Sequence, residues 1–173
     1  MGRFILKHID MTLDPESIDK AIKAVNDFET DLHNAMTKLC EYLLETGVEI
    51  AKINLAAHHG GSDRSGALRD SIKHGVFDVS KGIGVITAGE GLTTQPPYGS
   101  YAVFVEYGTG IYNMNGDGRQ TPWVYYDDYI GQWVTTQGQA PKMFMGNTLI
   151  ELESIAEQSG GEIIATYIYS VEG

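Results

Sequence analysis

DPESIDKAIKAVNDFETDLHNAMTKLCEYLLETGVEIAKINLAA, residues 14–57, is the stretch on which the fold turns. Asp14 suits an N-cap, Pro15 the first helical position and Glu16 the positive end of the helix dipole, so the three together mark a helix start. Behind them Ile18, Ile22, Val25, Leu32, Met36, Leu39, Leu43, Ile50 and Ile53 keep one face apolar by their spacing of three and four. Lys20, Lys23, Asp27, Asp31, Lys38, Glu41, Glu45 and Glu49 fall on the other face. The pattern predicts one helix over 14–59, ended by His58-His59-Gly60-Gly61-Ser62-Asp63, where glycine supplies the φ > 0 of a C-cap. Gly47 costs about 1 kcal/mol relative to Ala and marks where a break or kink would fall. Unbroken, ~43 residues at ~1.5 Å each make a rod of about 65 Å. A domain of this size, with a radius of gyration of about 15 Å, cannot cover such a rod with its own core. Part of the stripe is therefore expected to pack against something else, such as a neighbouring subunit.

Working outward, residues 1–13 read as an N-terminal arm or edge strand with Phe4-Ile5-Leu6 at its centre. On the other side, Ser65-Gly66-Ala67-Leu68-Arg69-Asp70-Ser71-Ile72 reads as a turn of helix or a strand lead-in. Two β-like runs, Ile72–Val79 and Ile83–Ala88, flank Ser80-Lys81-Gly82 and predict a hairpin. After the loop Gly89–Ser100, Tyr101–Tyr107 is apolar enough to be buried as strand or short helix. Gly108–Thr121 is an irregular loop of the kind that carries contacts. Trp123–Tyr126 and Gln132–Thr136 are aromatic β-type runs about a turn holding Asp127, Asp128 and Gly131. Pro141 opens a second amphipathic helix, 141–158, with Phe144, Met145, Leu149, Leu152 and Ile155 on its face, and Gly160-Gly161 stops it. Residues 162–171 alternate as a final strand would. The economical reading is one α+β domain over 1–173, with the two helices packed on a mainly antiparallel sheet spanning 70–136.

Composition narrows function by exclusion. With 23 acidic against 12 basic residues the net charge is −11, and no Lys/Arg stripe exists to neutralise phosphates, so direct binding of duplex DNA is not expected. The acidity reads as a soluble, self-repelling surface, or as one that DNA must pass without sticking. No apolar stretch approaches the ~18 to 20 residues of a membrane span. The start MGRFILKHIDM lacks the features of a signal peptide, and Leu6 stands where a myristoylation motif needs Ser or Thr. Cys40, the sole cysteine, sits on the apolar helical pattern and reads as a buried thiol.

Chemistry-bearing clusters are sparse. His58, His59 and Asp63, with His74 further on, are metal-ligand types, but adjacent histidines point about 100° apart on a helix and no HEXXH or CXXC pattern is present. Gly108-Thr109-Gly110 resembles part of a phosphate loop without its second half or its lysine. No Ser lies in a GxSxG elbow. Asp127 and Asp128 stand where a type I turn wants them. Glu106, inside an apolar run, needs a partner, for which Arg69 and Arg119 are the candidates. Tyr98, Tyr101, Tyr107, Tyr112, Trp123, Tyr125, Tyr126, Tyr129 and Trp133 crowd the middle of the chain with only Arg119 beside them, which suits core packing and interfaces better than base stacking. No catalytic, cofactor or metal-binding set is assigned.

Three segments, read in order, resemble the gene-product-ten-like phage morphogenesis family of head–tail joining proteins. The first is the turn Ser65–Ile72, with Gly66, Leu68 and Ser71 at the positions of T/S-G-x-L-x-x-S-I. The second, Y-A-x-x-V-E-[FY]-G-T-G, is matched by Tyr101, Ala102, Val105, Glu106, Tyr107, Gly108, Thr109 and Gly110. The third is an aromatic hairpin running into a helix, here Trp123-Val124-Tyr125, Trp133, Gly138, Pro141, Phe144 and Met145. Departures are Lys142-Met143, where the family commonly has a small residue or proline, and the tail after Gly161. The resemblance implies a non-enzymatic structural protein of a long-tailed phage or prophage virion, assembled in the host cytoplasm. It further implies a homo-oligomeric ring, six- or twelvefold, at the neck or completing the tail, with portal and tail-tube proteins as partners. DNA would pass through such a ring without specific binding, and no cofactor or membrane would be involved. A tail or baseplate binding module using the aromatic cluster is the first rival, and it predicts that Trp123 and Trp133 are exposed. A small metal-dependent hydrolase at His58/His59 is the second.

Overall fold

The computed structural model describes residues 11–57, 65–92 and 100–170. The expected arm at 1–10 and the helix stop at 58–63 lie outside them. Helix α1 runs over Pro15–Ala57. Its start is built as a cap: Asp14 Oδ1 accepts the Ser17 N–H at 2.9 Å and the Asp14 carbonyl accepts the Ile18 N–H at 3.1 Å. The Thr12 hydroxyl also donates to the Asp14 carboxylate, which with the Ser17 amide holds that carboxyl below its ordinary range.

No break occurs at Gly47. It is buried, and a Cβ there would stand 2.4 Å from Ile86 Cδ1 and 2.7 Å from Leu152 Cδ1. The glycine is thus a place of close approach between α1 and its neighbours rather than a hinge.

The one-turn helix α2, Ala67–Asp70, leads into strand β1, Lys73–Asp78, which pairs antiparallel with β2, Ile83–Thr87. The register runs from Lys73 opposite Thr87 to Asp78 opposite Ile83, with a bulge between His74 and Phe77. Tyr101–Tyr107, open to either reading in the sequence, forms helix α3. Strands β3, Trp123–Asp127, and β4, Gln132–Thr136, form a second antiparallel hairpin with Trp123 opposite Thr136 and Asp127 opposite Gln132. Among the described residues, the expected single sheet over 70–136 is therefore two separate two-stranded ribbons. Neither can bury a face by itself, so the fold is mixed α and β with the helices dominant.

Helix α4 covers Phe144–Ser170, which corrects two expectations. It begins three residues after Pro141, and it runs through Gly160-Gly161 and the segment expected to be a strand. The apparent alternation of 162–171 was not selective, because Ile163, Ile164, Ala165 and Ile168 are apolar on both parities. What decides the matter is packing. α4 lies antiparallel along α1, with Asn54 Nδ2 donating to Thr148 Oγ1 and Glu151 Oε1, Leu152 at Gly47 and Leu39 at the buried Gly160. A long helical neighbour outweighs the ~1 kcal/mol that each glycine costs a helix.

The core is Val48, Ala51, Leu55, Leu68, Ile72, Ala102, Val105 and Phe144. The buried positions of α1 begin only at Ala35. Continuing the α1–α4 register, Ser170 falls near Phe28, so the first turns of α1 extend past the body. No described helix is long and apolar enough to cross a membrane.

Candidate functional site

The three motif segments meet at one junction, and its geometry explains their residue types. Gly66 has φ 74°, a left-handed conformation suited to glycine, and its carbonyl accepts the Asp70 N–H. The Ser71 hydroxyl donates to the Leu68 carbonyl at 2.6 Å and accepts the Gly89 N–H at 2.7 Å, tying the turn to the chain after β2. Leu68 is fully buried against Val105 and Phe144.

In α3, Tyr101 is half-buried, whereas Ala102, Val105 and Glu106 face inward. Glu106 pairs with neither arginine. Its two carboxylate oxygens accept the N–H groups of Met145 (2.9 Å) and Gly146 (2.8 Å), so it caps the start of α4 from another element. The carbonyls of Val105 and Glu106 in turn accept the N–H groups of Lys142 and Met143. Arg69 lies beside Asp70, and Arg119 bonds Thr121 and stacks 5.6 Å over the Trp123 ring.

Gly108-Thr109-Gly110 is not a phosphate cradle. The Thr109 and Ile111 N–H groups donate to the Gln139 and Gln137 carbonyls, and the Thr109 hydroxyl accepts the Gln139 N–H. Gly110 and Gly138 cross here so closely that a Cβ on Gly110 would meet the Gln137 carbonyl oxygen, and one on Gly138 the Thr109 carbonyl oxygen. Pro141 is half-buried just beyond this crossing, ahead of the buried Lys142, whose Nζ donates to the Leu55 carbonyl.

The third motif divides. Phe144 is a core residue, but the hairpin that precedes it stands apart, with its main contacts inside itself. Trp133 is 71% exposed, Tyr125, Tyr126 and Tyr129 are exposed, and Trp123 is half-buried. Tyr126 and Trp133 meet edge to face at 5.5 Å, which stiffens the aromatic surface. Asp127 shapes the turn by accepting the Tyr129 and Ile130 N–H groups, as its turn position implies.

A second apolar surface lies on the first half of α1, where Ile22 and Val25 are 54% and 53% exposed and Phe28, Leu32 and Met36 are also open. A third feature went unnoticed in the sequence. A cleft of about 730 Å³ opens between α1, β2, α3 and α4, lined by Cys40, Leu43, Leu44, Ile86, Leu149 and Leu152 among others. Gly82, Gly84, Ala88, Ala102 and Ala156 keep it open, and such a set of small residues in and beside β2, α3 and α4 was the only signal available. Burial pushes the Cys40 thiol up. His58, His59 and Asp63 lie outside the described residues, His74 is exposed on β1, and among the described residues no three His, Cys, Asp or Glu side chains gather as a metal site.

Compared with family models, curated proteins and solved structures, the chain matches none of them.

Proposed function

We propose that this chain is a structural subunit of a long-tailed phage or prophage virion, joining head to tail as a ring component at the neck or completing the tail. One observation carries the reading: the fold leaves two different apolar surfaces open, the first half of α1 and the aromatic β3–β4 hairpin. A ring subunit needs two unlike faces, because each copy meets one neighbour with one face and the next with the other. The buried motif junction supports the reading only as architecture. Leu68, Val105, Glu106 and Phe144 hold the elements in place, and the contacts are left to the surfaces around them. A net charge of −11 suits a wall that DNA slides past.

The exposed Trp133 favours a second reading, a tail or baseplate module that stacks sugars on its aromatic hairpin. Native mass spectrometry of the purified chain, alone and mixed with the portal or tail-tube protein of the same phage, separates the two. The joining reading expects closed oligomers, six- or twelvefold, alone or on the partner. Absence of any complex, together with saturable glycan binding lost in Trp133→Ala, overturns it in favour of the binding module.

A further inference from the structure

The cleft between α1, β2, α3 and α4 is walled by aliphatic side chains, and the charged residues lining it are both acidic. Glu106 is engaged in capping α4, which leaves Glu153, exposed at the rim. Among the described residues no Lys or Arg lines the cleft. An apolar trough with an acidic edge fits a short apolar segment flanked by bases. The chain contains one at Arg3-Phe4-Ile5-Leu6-Lys7.

We propose that the cleft receives Phe4-Ile5-Leu6 from a second copy of the chain, with Arg3 and Lys7 toward its acidic side. Reach requires the second copy. Thr12 is held at the start of α1, its N–H donating to Ser17 Oγ at 2.9 Å. From there Phe4 is eight residues away, at most about 29 Å of extended chain. Cys40, on the cleft wall, lies 25 residues into an unbroken helix, about 38 Å along its axis. The segment of one copy therefore falls short of its own cleft but is carried outward by the overhanging end of α1. Donor and acceptor are different surfaces, one ahead of α1 and the other just past its middle, so the contact is head-to-tail and can propagate. The contact is independent of the neck reading, because it concerns any assembly of copies of this chain.

Cys40 makes the test direct. With Leu6→Cys in the full chain, oxidation by copper phenanthroline is expected to give a ladder of disulfide-linked species that grows with protein concentration. The ladder should vanish when Cys40→Ser is added and be missing for Leu13→Cys, a control in the exposed helix start. In the unmodified chain, alkylation of Cys40 by iodoacetamide should slow about fourfold at a total protein concentration about ten times the self-association Kd. Phe4→Asp/Leu6→Asp should restore the rate while leaving unchanged the melting temperature of dilute protein, where the contact is not populated. Cross-linking confined to single chains would show docking in cis and overturn the proposal. Protection that survives the aspartate substitutions would place another occupant in the cleft, such as residues 93–99 or a neighbour's aromatic hairpin, and also overturn it. Cys40 reacting equally fast at every concentration would show an empty cleft and overturn it as well.

Discussion

Glu106 shows what a single residue discloses and what it hides. An acid inside YAVFVEY demands a partner once the run is buried, and that much is legible in the sequence. The partner is not, because it is the bare N-terminus of a helix that starts 38 residues later, with no side chain to betray it. The neighbouring Gly146 fits this arrangement, since a Cβ there would stand 3.3 Å from Glu106 Oε1. Glu106→Ala leaves two inward-facing N–H groups unpaired and is expected to cost about 2–4 kcal/mol in urea unfolding. Glu106→Gln, normally conservative, should lose much of the same stability, because its amide NH₂ would face one of those N–H groups, donor against donor. A loss below about 0.5 kcal/mol for both variants, the range of ordinary surface changes, would mean that water caps α4 instead.

Elements were legible in proportion to how far their own residues decide them. The β3–β4 hairpin appears where the aromatic runs placed it, since a short turn around Asp127 and Gly131 sets its register locally. α1 was legible from its cap and its periodicity. The stripe, however, named Ile53, which is exposed, and omitted Leu44, Val48 and Leu55, which are buried. The end of the chain was not legible, because Gly160-Gly161 is a helix stop in isolation and an interior pair once α1 lies alongside. This difference can be measured. Gly161 is exposed within α4, so Gly161→Ala should stabilise the protein by about 0.5–1 kcal/mol by removing the glycine penalty. A chain stop followed by a strand would give the opposite sign, since alanine cannot replace a positive-φ glycine without strain. Thermal or urea unfolding of the single variant decides it.

At the scale of the whole molecule, the proposed assembly gives α1 two tasks, one at each end. Every buried position of the helix lies from Ala35 onward, where α4 and the core meet it, and the first twenty helical residues contribute none. A helix end with no core of its own is marginal in water, and Ile22 and Val25 are apolar without being buried. Selection for folding alone gives no reason for an apolar stripe there, whereas an interface does. The two tasks should therefore separate under mutation. Leu55→Ala removes a side chain 1% exposed and is expected to cost about 2–5 kcal/mol of folding stability. Ile22→Lys/Val25→Lys should change unfolding by no more than about 0.5 kcal/mol, since both side chains already face solvent, yet shift the chain toward monomer in sedimentation velocity. The lysines would also disfavour a contact through burial of charge, so a neutral pair, Ile22→Ser/Val25→Ser, should weaken assembly in the same direction by a smaller amount. If neither pair alters the oligomer distribution while the wild-type chain assembles, the overhang is not the interface. The aromatic hairpin and the cleft would then have to carry the assembly without it.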